Sequence, residues 1–140
     1  MIPVDEFTGL IRDIDYIEGA IDLTVGGVQL LSTSMWDLVD QLWAYLINSL
    51  EDLASQDTAE TCFPDQPITV RFSKEIEGKH VRIDVRAHSS MSARIETTTL
   101  VDALTREARK FFEALRRVAA TYPATGELKR IAAVRATFNL

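Results

Sequence analysis

Ile68-Thr69-Val70-Arg71-Phe72-Ser73, followed beyond the turn Glu77-Gly78-Lys79 by Val81-Arg82-Ile83-Asp84-Val85-Arg86, is the stretch that decides the fold. Apolar residues take every second position in both runs, which gives a pair of antiparallel strands one apolar and one charged face. Arg71, Arg82, Asp84 and Arg86 fall on the charged face, where opposite charges on neighbouring strands contribute a few tenths of a kcal/mol per pair. No aromatic residue alternates with these arginines, so the face lacks the stacking surface that single-stranded nucleic acid needs. Upstream, Phe63-Pro64-Asp65-Gln66-Pro67 closes a loop over 56–67 and holds the chain extended as it enters the first strand. Downstream, Ala93 to Thr97 is expected to add a strand, with Ile95 inward and Arg94 and Glu96 outward.

A second hairpin is predicted earlier in the chain. Ile21, Leu23 and Val25 alternate with Asp22 and Thr24, then Gly26-Gly27 supplies two residues tolerant of positive φ, and Val28 to Leu31 returns. Gly9 to Ile17 alternates more loosely, with Leu10, Ile14 and Tyr16 set against Asp13 and Asp15, and suggests a preceding strand.

Three helices complete the pattern. Ser34 and its neighbouring hydroxyls are candidate caps for a helix over 35–55. Asp37, Gln41, Asn48, Glu51, Asp52 and Ser55 form its narrow polar stripe. The remaining apolar arc, which includes Trp36, Trp43 and Tyr45, is wider than a surface helix needs. Thr99 is the expected cap of a second helix from Leu100 to about Tyr122, with Asp102 in the capping-box position. Arg106, Arg109, Lys110, Arg116 and Arg117 make its outer face basic. Pro123 and Gly126 end it, and a short helix over 127–136 follows. The expected fold is α+β: an antiparallel sheet of four to six strands built from the two hairpins, with two long helices and a short C-terminal helix packed on one face. Residues 1–140 are read as one domain, a length at which roughly two-thirds of the unfolded surface is buried.

Charge is divided unevenly. The net charge is -6. Residues 1–66 hold 13 acidic residues against Arg12 alone, a net of -12, whereas residues 67–140 hold 8 acidic and 14 basic residues, a net of +6. Such a split signals either halves that neutralise each other or a charged partner surface, and it argues against a nucleic-acid partner. The single Cys62 excludes an intrachain disulfide and a cysteine zinc site. With two acidic and no basic residues in the first ten, no signal peptide is expected, and a reducing cytoplasm is the predicted location. The apolar run Leu42 to Leu50 falls far short of the ~20 residues of a membrane span.

Motifs of known chemistry are missing. No phosphate loop, nucleophile elbow, HExxH or EF-hand loop occurs. His80 and His88 lie eight residues apart at the ends of one expected strand, roughly 26 Å at strand rise, too far to share a proton or a metal. Asp13, Asp15, Glu18 and Asp22 are the one cluster that paired-carboxylate chemistry can use, and a small metal-dependent hydrolase built on them is one alternative. The favoured reading is a non-enzymatic chain without cofactor or metal.

The hairpin followed by Met35-Trp36-Asp37-Leu38-Val39-Asp40-Gln41-Leu42-Trp43, together with Phe63-Pro64-Asp65-Gln66-Pro67, resembles small bacterial proteins, among them immunity proteins of contact-dependent or polymorphic toxin systems. The likeness spans residues 20–120, and its motifs are structural rather than catalytic. It implies a cytoplasmic protein that binds and blocks a cognate toxin domain. From the residues themselves, the candidate contact surface for a basic protein partner is Asp13, Asp15, Glu18, Asp22, Asp37, Asp40, Glu51 and Asp52, with Trp36 and Tyr45 as aromatic anchors. A homodimer formed through the wide apolar helix 35–55 is the other alternative.

Overall fold

The alternating stretch at 68–86 forms the centre of a four-stranded antiparallel sheet in a computed structural model that describes residues 13–140 together with Pro3, Val4, Glu6, Gly9 and Ile11. In chain order the elements are β1 (Glu18–Gly19), β2 (Leu23–Val25), β3 (Val28–Leu31), β4 (Asp37–Leu38), α1 (Val39–Leu53), β5 (Thr58–Cys62), β6 (Thr69–Glu75), β7 (His80–Arg86), β8 (Ser90–Glu96), α2 (Thr97–Val118) and α3 (Thr125–Thr137). The main sheet runs β5-β6-β7-β8. Val70 pairs with Val85 and Phe72 with Ile83, all buried, and Ile83 pairs in turn with Ala93. Each large apolar side chain buried this way contributes about 1.5–3 kcal/mol. On the other face Arg71 stands opposite Asp84, and Arg71, Arg82, Arg86 and Arg94 are all exposed. The helices and the first hairpin therefore lie on the apolar face, an α+β arrangement in which the hairpin's place differs from expectation.

The two hairpins do not share a sheet. β2 and β3 form a separate two-stranded sheet that packs against β7 and β8 without hydrogen-bonding to them. Its turn is the expected one, with Gly26 and Gly27 at φ 57° and 82°. Adjacent Leu30 and Leu31 are both buried, so the end of β3 inserts both of its faces into the core, while Gln29 stays exposed.

The fourth strand of the main sheet comes instead from β5, within the segment read as a loop. Its residues Thr58-Ala59-Glu60-Thr61-Cys62 alternate exposed and buried, but small and polar side chains conceal the pattern. The expected strand over 9–17 is not found at 13–17, where Asp13 to Tyr16 makes a turn; Leu10 and Arg12 lie outside the described residues.

The helix bounds also differ from expectation. Asp37–Leu38 pairs with Glu18–Gly19 as a strand, which moves the start of α1 from 35 to Val39 and leaves Ser34 bonded to Ser32 rather than capping. α2 begins directly after β8, at Thr97 rather than Leu100, and the Thr97 hydroxyl donates to Gly78 O at 2.7 Å and ties the helix to the β6–β7 turn. Asp102 binds Arg106 and Arg135 instead of capping.

The wide apolar arc of α1 is consumed inside the molecule. α1 packs along β5 and touches α2, α3, β1, β4 and β6. Tyr45 is its one large apolar side chain left exposed, so the helix presents no apolar stripe for a homodimer. Thr61 anchors this packing: its hydroxyl bonds Ser49 and also donates to Tyr45 O. Buried apolar residues from Ile17 to Val134 join in one cluster.

Candidate protein-binding surface

The short pair β1–β4 sorts its side chains by parity. Glu18 lies opposite Leu38 and Gly19 opposite Asp37, and the ladder continues where Val39 N–H donates to Ile17 O at 2.9 Å. Ile17, Asp37 and Val39 are buried, while Tyr16, Glu18 and Trp36 point outward. Gly19 is fitted to this spot, because a Cβ there would lie 3.0 Å from Val39 Cγ1. Tyr16 is 70% exposed and Trp36 46% exposed, the two most exposed aromatic side chains among the described residues. Two aromatic rings held in water beside a carboxylate have the composition of a protein-recognition surface.

The loop at 63–67 belongs to the same surface because Asp37 holds it there. One carboxylate oxygen accepts Leu38 N–H at 2.7 Å, and the two oxygens together accept the amides of Asp65 and Gln66 at 2.9–3.1 Å. Gln66 Nε2 also donates to Trp36 O at 3.1 Å. Asp65 and Gln66 are themselves exposed. The prolines on either side restrict the loop so that its two amides converge on one acid.

Two of the acidic residues expected at the contact surface are therefore interior. Asp37 is buried with both oxygens occupied by backbone amides. Asp40 is buried and accepts the Tyr122 hydroxyl at 2.8 Å, pinning the start of α1 to the segment between α2 and α3. Burial first, and then the hydrogen bond and charge of Asp40, push the Tyr122 phenol well above its ordinary range. Glu51 is engaged by Arg130 of α3 at 3.1 Å.

The remaining expected residues are outside. Asp13, Asp15, Glu18, Asp22 and Asp52 are exposed, and no ion pair joins them to a basic residue among the described residues. Asp13 accepts the backbone N–H of Asp15 at 3.0 Å, and Asp22 accepts Gln29 Nε2 at 3.2 Å, which leaves carboxylate oxygens free in both. Tyr45, 38% exposed, stands about two turns into α1 beside β5. The β1–β4 surface thus gathers Glu18 and Trp36, with Asp13 and Asp15 just before it in the chain.

Sequence reading missed Tyr16, placing it on the inward side with Leu10 and Ile14. The odd-numbered row Ile17, Gly19, Ile21 carries the contrary signal, since it puts residue 16 outside. The loop contribution of Asp65 and Gln66 has no local signal at all.

No three His, Cys, Asp or Glu side chains come together to hold a metal among the described residues, Asp13, Asp15, Glu18 and Asp22 included. His80 opens β7 with its Nδ1 buried and without a hydrogen-bond partner, and His88 lies in the turn beyond the end of β7. Cys62 is exposed at the sheet edge. Between α1 and α3 lies a shallow groove of about 180 Å³ lined by Ala54, Val134 and Phe138, below the size range of ligand pockets. No helix among the described residues is long and apolar enough to cross a membrane. No family model, curated protein or solved structure matches the chain.

Proposed function

We propose that the chain is a non-enzymatic binding protein that engages a basic protein partner through the acidic and aromatic surface around β1 and β4. Its specific form is an immunity protein, which occupies the basic cleft of a cognate toxin domain. The observation that carries this reading is the outward row of Tyr16, Glu18 and Trp36, fixed in place by the buried Asp37 and approached by carboxylates that no basic side chain among the described residues pairs. Preorganised aromatic anchors lose little rotamer entropy on binding, and a surplus of carboxylates without local counter-charge accelerates encounter with a basic partner.

Affinity purification of the tagged chain from its native host, at low and at high salt, tests this. A stoichiometric basic protein is expected, released by salt and by Trp36→Ala. Recovery of no stoichiometric partner, or of one indifferent to Trp36→Ala and Tyr16→Ala, would count against the reading.

A further inference from the structure

The two edges of the main sheet are treated differently. At β5, α1 packs along the strand, and Thr61 is bonded to Tyr45 O and Ser49. At β8, no strand among the described residues hydrogen-bonds to the outer side. The phase of the ladder shows which groups are left over. Thr97 N–H donates to Lys79 O and Ala87 N–H to Ser89 O, so the bonded pairs joining β7 to β8 are those of odd-numbered residues. The backbone groups of Ser92 and Arg94 therefore turn away from β7, and among the described residues no backbone group bonds them.

Natural edge strands are protected by proline, bulges, shortness, charged side chains or inward-pointing charge. β8 carries the charged Arg94 and Glu96 on its solvent face, but it has no proline, no bulge and no inward-pointing charge. It runs seven residues in continuous register and turns Met91, Ala93 and Ile95 toward the apolar side. Ser90, Met91 and Ser92 are exposed in succession, so both faces of the strand are open at that end, and Met91 is 38% exposed.

We infer that β8 is the interface for a second copy of this chain, paired antiparallel about a two-fold axis beside Ala93. Full overlap of a strand that begins at 90 and ends at 96 sets Ser92 opposite Arg94 of the partner subunit. Both are even-numbered, so their free amides and carbonyls are in phase. On the apolar side Met91 meets Ile95 of the partner subunit, and the smallest side chain, Ala93, lies on the axis where the strands approach most closely. No like charges stand directly opposite, and each Arg94 is already neutralised by Glu75. The two four-stranded sheets become one continuous sheet. A strand pair alone buries less than the roughly 1,600 Å² of a standard interface, so the dimer is weak and concentration-dependent.

Sedimentation velocity of the purified chain over a wide concentration range tests the inference, with Met91→Lys and Ser92→Pro as variants. Met91→Lys places an inward charge at an exposed position, and Ser92→Pro removes an amide that the monomer does not use. Circular dichroism establishes that each variant folds. Dimers that weaken at least about tenfold in both folded variants, with slowed amide exchange at Ser92 and Arg94 as concentration rises, are the expected result. A chain monomeric throughout, a dimer indifferent to either folded variant, or open-ended polymers would overturn it. β1 and β4 take no part, so either result leaves the proposed partner surface standing or falling on its own test.

Discussion

A carboxylate taken out of water must recover its hydrogen bonds from the protein, and Asp37 recovers them from three backbone amides. Asn at this position keeps one acceptor and points an NH₂ at donors. Asp37→Asn is expected to cost about 1–3 kcal/mol, read as a lower urea midpoint with unchanged slope. Tyr122 adds a pH dependence. An unfolded phenol ionises near pH 10, whereas burial and Asp40 keep the folded one protonated to higher pH. Stability from this group is complete below about pH 10 and declines as pH rises further. Tyr122→Phe loses the bond to Asp40 at neutral pH and should show the shallower alkaline decline; parallel alkaline curves would refute the assignment. The distinction between a fastening acid and a solvent-facing one was not legible in the chain. Asp37 fits the polar stripe of a helix, Asp40 reads as a contact residue, and their long-range donors come from residues 28 and 82 positions away.

Elements built on strict alternation were legible, and those built on exceptions were not. β6 and β7 follow from Val70, Phe72, Val81 and Ile83, because a half-buried strand must alternate. β5 escaped because Thr58, Glu60 and Cys62 face solvent while only Ala59 and Thr61 turn inward. A buried threonine reads as polar until its partners, Ser49 and Tyr45 O, are known. Thr61→Val strands the Ser49 hydroxyl and is expected to destabilise the fold by about 1–3 kcal/mol in denaturant titration. The β6–β7 turn was read from Gly78, yet Ile76 and Glu77 also sit at φ 52° and 56°. A β-branched residue there costs roughly 1–2 kcal/mol. Ile76→Asn should raise the thermal midpoint, and a lower midpoint would show that the exposed Ile76 side chain contributes packing that outweighs the strain.

At the scale of the molecule, the uneven charge seen in the sequence resolves into three populations. Asp37 and Asp40 are spent inside, Glu51 and Glu60 pair with Arg130 and Arg71 of the second half, and Asp13, Asp15, Glu18, Asp22 and Asp52 remain in solvent. The count alone predicted a choice between self-neutralisation and a partner surface; Glu51 and Glu60 take the first course, and the five solvent carboxylates are those the proposed partner surface draws on. Neutralising Asp13, Asp15 and Glu18 to their amides should slow association with a basic partner and flatten its salt dependence, leaving dissociation nearly unchanged. Trp36→Ala should instead accelerate dissociation, by about 2 kcal/mol or roughly thirtyfold, without moving the thermal midpoint. In the β1–β4 pair, residues 17, 37 and 39 serve the core, while 16, 18 and 36 serve the outside. Under the proposed function, folding and recognition are written in alternate letters of the same short stretches. A lineage facing a changed partner can rewrite one set freely while the other stays untouched.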